Sequence, residues 1–133
     1  MSGDGLITIA SAFPVAETVD RLAAAAEAAG MTVFARVDHA GGAAEAGMEL
    51  RPTEVILVGN PRGGTPLMQD GQTAGIDLPL RALAWEDGDG QVWVTTNDTS
   101  WIAARHGLGE ASAAAISAVS AGLARIVGEA TGG

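Results

Sequence analysis

Hydrophobic and polar positions follow two periods along this chain, and these periods predict where its strands and helices lie. Short runs of apolar and β-branched residues predict five strands. Two longer stretches, in which apolar residues recur at steps of three and four, predict two main helices. The predicted strands are residues 6–12, 31–37, 53–58, 81–86 and 91–96, and the predicted main helices are residues 14–30 and about 110–130.

The order of these elements, β-α-β-β-β-β-α, indicates the fold class. Strands that follow one another without helical crossovers pair antiparallel, and two amphipathic helices can cover one face of the sheet. We therefore predict an α+β fold, with an antiparallel sheet of about five strands packed against two main helices. The length suits a single domain over residues 1–133, with its core at about 6–130.

Details of the pattern predict further local structure. In the second strand, Val33, Ala35 and Val37 occupy alternate positions and should share one face. Weak or short helices are predicted after His39 and over residues 101–106, and the Asp-Gly pairs of DGDG predict a hairpin turn between the last two strands. Residues 69–80 carry glycine and proline and predict an irregular segment that Ile76, Leu78 and Leu80 attach to the core.

The balance of charged residues excludes several classes of function. Sixteen acidic residues face seven basic ones, for a net charge of −9, and all seven basic residues are arginines. Without lysine there is no Schiff-base catalysis on a side-chain amine. An acidic chain also lacks the basic face that nucleic acids require, so nucleic acid is not an expected partner. The absence of cysteine excludes disulfides, thiolate metal sites and thiol nucleophiles.

Hydropathy along the chain predicts its location. The N-terminus, MSGDGLITIA, lacks the basic start and apolar core of a signal peptide. No apolar stretch approaches the ~20 residues that span a bilayer. We therefore expect a cytoplasmic protein without a membrane partner, and the apolar composition favours a homodimer.

The most distinctive short stretch is GNPRGGTPLM, residues 59–68, which follows the buried strand TEVILVG. The spacing of Gly59 and Gly64 copies two glycines of a phosphate-binding P-loop, but Thr65 and Pro66 stand where that motif has Lys and Ser or Thr. Two interpretations remain. In one, Asn60, Arg62 and free backbone amides bind a small anion. In the other, Asn60 and Thr65 shape a turn by bonding their own backbone, and Met68 fills the core.

Three other side chains could carry chemistry. His39 follows Asp38 at a strand end, and imidazole can serve as a general base or as a ligand of a metal or of haem iron. His106 ends a short helix, where it can bond the last carbonyls. Asp77 lies between apolar residues and needs a partner if it is buried. The candidate metal ligands are His39, His106 and Met68, although no metal-binding motif such as HExxH is present.

Seven short phrases occur in order along the chain: DH at 38–39, RPTE at 51–54, GNP at 59–61, GTPLM at 64–68, GIDLPL at 75–80, WEDGDG at 85–90 and ND at 97–98. Together they resemble the DUF302 family, small bacterial and archaeal proteins also called TT1751-like. The resemblance covers residues 8–108 and implies a compact α+β fold with a curved antiparallel sheet, similar to the TATA-binding-protein-like group. It implies no activity, since the family has none assigned. Val58 and Thr96 depart from the family pattern, which has aromatic residues at those positions.

Two functional hypotheses rest on these residues, and a third is a purely structural partner-binding domain, which would show a large exposed apolar patch in place of a pocket. The first is a small ligand-binding or sensing module whose pocket lies between sheet and helices. The second is a haem- or metal-dependent protein or enzyme that uses His39. The sequence specifies neither the cofactor nor the reaction. The candidate ligand-binding residues of the first hypothesis are His39, Asn60, Arg62, Thr65, Met68 and Asp77.

Overall fold

A computed structural model describes residues 3–132 and contains one five-stranded antiparallel sheet. The spatial order of the strands is β1-β5-β4-β3-β2, so β1 and β2 form the two edges. The predicted α+β fold is confirmed. The strands are β1 (Leu6–Ser11), β2 (Thr32–Asp38), β3 (Thr53–Gly59), β4 (Leu80–Glu86) and β5 (Val92–Asn97).

Five α-helices connect or cover the strands, and the two longest are those that the sequence predicted. Helix α1 packs against β3 and against α5, and together these helices cover one face of the sheet. Short 3₁₀ turns occupy Gln72–Asp77 and Glu110–Ser112. The helices are α1 (Val15–Ala28), α2 (His39–Glu45), α3 (Pro61–Asp70), α4 (Thr99–Arg105) and α5 (Ala113–Thr131).

The core lies between this covered face of the sheet and the two long helices. Apolar side chains of α1 and α5 meet the inward-facing residues of the three central strands, because the 3.6-residue and two-residue periods each place one apolar row toward the same layer. Buried members of this layer are Val19, Leu22, Ile56, Val58, Ala82, Val94, Leu123 and Ile126.

Strand β2 does not alternate strictly as its sequence predicted. A bulge shifts the register between Val33 and Ala35, so that Val33 pairs with Val58 while Ala35 pairs with Leu57. One extra residue in a strand reverses which face the following side chains occupy. Val33 therefore lies on the helix side of the sheet, whereas Ala35 lies on the opposite side.

The segment GNPRGGTPLM is a helix rather than a loop. Helix α3 begins at Pro61, and the side-chain oxygen of Asn60 accepts a hydrogen bond from Arg62 N at 2.9 Å. Asn is a preferred N-cap because its side-chain oxygen accepts a hydrogen bond from a free N–H of the first turn, and proline is a preferred first residue because no intrahelical bond needs its N–H. The sequence did not predict this helix, because glycine and proline have low helix propensity. The predicted attachment by Ile76 is also wrong, because that side chain is 67% exposed.

Candidate functional site

A cavity of about 560 Å³ lies between α3, the end of β3 and the middle of α5. Its walls are mostly apolar. Leu67 and Leu80 form part of the floor, and Phe34, which is 52% exposed, stands at the rim. Concave apolar sites of this size are the usual form of binding pockets.

The cavity exists because several of its lining residues are glycines, which have no side chain, and others are flexible methionines. Five lining residues are glycines. A Cβ on Gly122 would come within 3.1 Å of Met31 Cε, and one on Gly75 would come within 3.3 Å of Met68 Sδ. Methionine side chains adapt their shape easily, so these two walls can move when a group enters.

Polar groups at the cavity are few, and most are already engaged. Asn60 caps α3, and its amide also reaches Gly30 O at 3.5 Å. Arg125 pairs with Glu129 at 3.3 Å on the solvent side of α5. Thr65 adds one hydroxyl to the lining. The site is therefore suited to an apolar group with at most one or two polar contacts.

The structure brings together only part of the predicted ligand set. Asn60, Thr65 and Met68 line the cavity, whereas Arg62 lies outside its lining. His39 lines a separate, shallow depression of about 400 Å³ on the other face of the sheet. Sequence order placed these residues near strand ends, but it did not reveal which face each end would present.

Asp77 lies away from the cavity lining and is bonded to two other side chains. Its carboxylate accepts hydrogen bonds from Arg105 Nη1 at 3.1 and 3.2 Å, and it lies 2.5 Å from His106 Nε2. The other ring nitrogen of His106 is 2.8 Å from Thr73 Oγ1. This cluster joins the 3₁₀ turn at Gln72–Asp77 to the end of α4, which explains the need for a partner that the sequence indicated.

A second carboxylate, that of Asp70, links the end of α3 to the segment that precedes α5. Asp70 accepts hydrogen bonds from Gly109 N at 2.9 Å and from Ser112 Oγ at 2.8 Å. The bond from the Gly109 amide, followed by that from Ser112, holds the pKa of Asp70 below its usual range. Asp70 thus fixes the end of α3 to the start of α5.

The imidazoles do not form a shared site. His39 begins α2, and His106 lies at the Asp77 cluster. Within residues 3–132, no group of three or more acidic or histidine side chains is arranged to hold a metal ion. Met68 faces the cavity together with Gly64 and Gly75 rather than either histidine.

Residues of α5 and of the β2 bulge are among the lining residues that the sequence did not predict. Ala118, Val119 and Gly122 form the α5 wall, and Phe34 is the extra residue of the β2 bulge. The sequence shows the helical period of α5 but not its contact with α3, because the sequence predicts no helix at α3.

Comparison with protein families decides the classification. The family described as "Domain of unknown function DUF302" matches residues 7–127. The chain belongs to the DUF302 family. The same fold occurs in the crystal structure of an uncharacterized conserved DUF302 protein from Bacillus stearothermophilus, with a TM-score of 0.83 and 16% sequence identity, over 96% of this chain and 98% of the other. The predicted DUF302 resemblance is thereby confirmed.

Curated relatives are more informative about biological context. This DUF302 chain is 56% identical, over 128 residues and 96% of its length, to Fluoride-specific ion channel FluC 1 of Brucella suis biovar 1 (strain 1330). It is equally similar to proteins named FluC 1 in Brucella abortus biovar 1 (strain 9-941) and FluC 2 in Brucella melitensis biotype 1 (strain ATCC 23456). The chain spans about half the length of these relatives, namely 50% or 47%.

These relatives correct the functional predictions. The prediction of a cytoplasmic protein with no membrane partner is wrong, because relatives at 56% identity are named as ion channels. On the same finding, the small-ligand-binding or sensing module is wrong, and so is its alternative, a haem- or metal-dependent protein based on His39. The chain is similar to about half of proteins that are named fluoride-specific ion channels.

The apolar content of the last helix also differs from the prediction. Residues Glu110–Thr131 form one helical stretch of 22 residues, with a mean hydropathy of 1.5 over its most apolar part, and by length and composition alone it could cross a membrane. Core helices of water-soluble proteins meet the same two criteria. Here Leu123, Ile126 and Val127 are buried in the core.

Proposed function

We propose that this DUF302 chain acts on a fluoride-specific ion channel as an accessory domain and does not itself form the pore. The observation that carries the proposal is the 56% identity over 96% of the chain to proteins named as fluoride-specific ion channels, of which the chain matches only about half. In this proposal, residues 6–130 act as one structural unit, and the other half of those proteins contains the ion pathway.

The architecture supports an accessory role. Backbone groups within a bilayer must be satisfied internally, so open sheet edges do not occur in the hydrocarbon region. The sheet of this chain is open, with β1 and β2 at its edges. Among residues 3–132 one helix is long and apolar enough to span a membrane, and four of its side chains, including Ile126 and Ala130, are buried in the core. Removing this helix to a membrane would expose that core.

The charge distribution gives independent support. A fluoride pathway needs groups that attract an anion, whereas this chain carries a net charge of −9. Several arginines are also neutralised locally: Arg36 pairs with Asp20 and Glu54, and Arg105 pairs with Asp77. The field around the chain therefore repels fluoride rather than concentrating it.

Only three of the six predicted site residues are part of this proposal. We propose Asn60, Thr65 and Met68 as the contacts of an apolar group of the channel system that enters the cavity. Apolar walls with adaptable methionines support this assignment, since such walls accept bulky apolar groups of varied shape. His39, Arg62 and Asp77 are not part of this set.

Fluoride release from liposomes tests the accessory role. A fluoride electrode would measure release from liposomes that contain this chain alone, the Brucella suis relative, or that relative without the half matching this chain. We expect no release above empty liposomes from the chain alone. We expect the truncated channel to conduct, with a rate or a channel yield that changes when the missing half is supplied as this separate chain.

Two results would overturn the proposal. Selective fluoride release by the chain alone would make it the pore. A truncated channel identical to the full-length relative in rate, yield and thermal stability, both with and without the added chain, would remove any accessory role. A chloride-loaded control separates selective conduction from simple leakage.

A further inference from the structure

The face of the sheet opposite α1 and α5 is unusually apolar. We call it the open face. The short helix α2 packs against β3 and contributes no buried residue. Cross-strand register aligns its side chains in rows, such as Val37, Val55, Leu83 and Thr95. Its apolar members are Leu6, Ala10, Ala35, Val37, Val55, Leu57, Leu83, Trp85 and Trp93.

The polar members of the open face are Thr8, Thr53, Arg81, Thr95 and Asn97, so apolar residues outnumber polar ones on this face. An antiparallel sheet with one solvated face alternates apolar inward residues with polar outward ones. In β3 the inward residues Ile56 and Val58 are buried, yet the outward Val55 and Leu57 are apolar as well and only partly buried. Val37 on the neighbouring strand is 43% exposed. Leu6 is 48% exposed, and Leu83, Trp85 and Trp93 are partly exposed. Neighbouring apolar side chains that water still reaches are typical of an interaction site.

We propose that the open face is the docking surface for the channel-forming half of a fluoride-channel polypeptide, through an apolar segment flanked by Lys or Arg. This inference rests on the proposed accessory function. The relatives are about twice the length of this chain, so in them the partner belongs to the same polypeptide. A tethered partner needs little intrinsic affinity, because its effective concentration is high.

Charge favours this occupant over two others. Lys and Arg residues that flank a membrane-spanning segment would complement a chain of net charge −9. An anionic lipid surface would repel the same chain. A second copy would bring together two strongly negative surfaces, and a large net charge keeps proteins monomeric.

The two ends of the open face offer different contacts. At one end the rings of Trp85 and Trp93 lie with centroids 6.4 Å apart, and Trp93 donates its indole N–H to Asp87 Oδ2 at 2.9 Å. That hydrogen bond is the main reason why the pKa of Asp87 lies below its usual range, so a fixed negative charge borders the aromatic pair. At the other end, His39 and Arg81 border the 400 Å³ depression.

Single cysteines test the location of the interface. The chain contains no cysteine, so one introduced thiol is unique in it. Val37→Cys places a thiol on the open face, and Ile76→Cys places a control thiol at a 67% exposed position away from it. Mass spectrometry would measure the rate of maleimide labelling of each variant under three conditions. The variant would be labelled alone, with empty liposomes of phosphatidylethanolamine and phosphatidylglycerol, and with such liposomes containing the channel half of the Brucella suis relative.

We expect channel liposomes to slow the labelling of Val37→Cys by about tenfold, since a packed interface excludes the reagent, and to leave Ile76→Cys unchanged. We also expect Leu83→Arg to weaken co-flotation with channel liposomes by about tenfold, because it puts a charge into the centre of the interface. Labelling needs no disruptive substitution, so the test holds even if Leu83→Arg fails to fold.

Each other outcome overturns the docking surface in a distinguishable way. Equal protection of Val37→Cys by empty liposomes would indicate a lipid surface, and protection without liposomes that rises with protein concentration would indicate a second copy. Co-flotation with channel liposomes without protection of Val37→Cys would move the interface elsewhere and leave the accessory function intact. If the chain neither co-floats nor alters fluoride release, both proposals fail together.

Discussion

His106 and Asp77 are held side by side, with Nε2 of the imidazole 2.5 Å from Oδ2 of the carboxylate. Both side chains are largely shielded from water, with exposed fractions of 6% and 14%. Arg105 donates to the same carboxylate from outside. Asp77 therefore links the 3₁₀ turn after α3 to the end of α4, and its loss should lower the stability of the fold.

Asp77→Asn is expected to lower the free energy of unfolding by about 1–3 kcal/mol, because a hydrogen-bonded charge is removed and shielded donors lose a partner. Urea unfolding at neutral pH measures this change. Glu129→Gln is the matched control, since it also removes an acid paired with arginine, but at an exposed position. The control should cost about 0.5 kcal/mol or less. Equal losses in the two variants would contradict the structural role of Asp77.

Asp70 should make stability depend on pH. Its folded-state pKa lies below the ordinary value of 3.8, so its charged form stabilises the fold at pH values above 3.8. This contribution falls as the pH drops through the folded-state pKa and is lost below it. We expect Asp70→Asn to lower the thermal midpoint at pH 7 and to match the wild type once the carboxyl is protonated in both states.

Circular dichroism melts across the acidic range check this dependence. Asp89→Asn is the control, because Asp89 lies in the exposed hairpin turn and its side chain makes none of the Asp70 contacts. A gap between wild type and Asp70→Asn that stays constant at acidic pH would show that the variant acts through packing rather than through charge.

Asn60 should behave as a helix cap. Asn60→Ala removes the acceptor for Arg62 N and is expected to cost about 1 kcal/mol of stability. Asn60→Ser keeps a capping oxygen and should retain most of that stability. Chemical denaturation of the three proteins provides the comparison. If serine were no better than alanine, the side chain would be acting through its contact with Gly30 O or through the cavity.

Gly122 offers a stabilising substitution. In the interior of a helix, glycine is about 1 kcal/mol less favourable than alanine. The added methyl group would approach only Met31 Cε, at 3.1 Å, and a flexible methionine can move away. Gly122→Ala should therefore raise the unfolding free energy by about 0.5–1 kcal/mol, as measured by urea unfolding. A loss of stability would mean that the cavity wall at Met31 is rigid.

The strands and both long helices were predictable because each has one dominant apolar period. The sequence 53–58 and the stripe through Val19 and Leu22 illustrate both cases. Helix α3 was not predicted, since Gly63, Gly64 and Pro66 lower helix propensity. Asn60 followed by proline does indicate a helix start, but the same pair is also typical of a turn.

The candidate site was predictable only in part, for a physical reason. Asn60, Thr65 and Met68 lie within nine residues of one another in a segment that forms one helix and its cap, so local sequence sufficed to group them. His39 and Asp77 depend on which face of the sheet or which neighbouring helix they meet. Those contacts are long-range, and no periodicity in a single chain encodes them. The link to a channel was equally out of reach, because it came only from proteins about twice as long.

The bulge in β2 has a consequence for how anything can join this molecule. A regular edge strand presents a continuous ladder of backbone groups and can template another strand, whereas a bulge interrupts that ladder. By inserting Phe34, the bulge gives β2 two half-ladders that are out of step. Extension of the sheet past β2 is thereby discouraged, and a channel, a membrane or another copy would have to meet this side of the chain through side chains rather than through shared backbone hydrogen bonds.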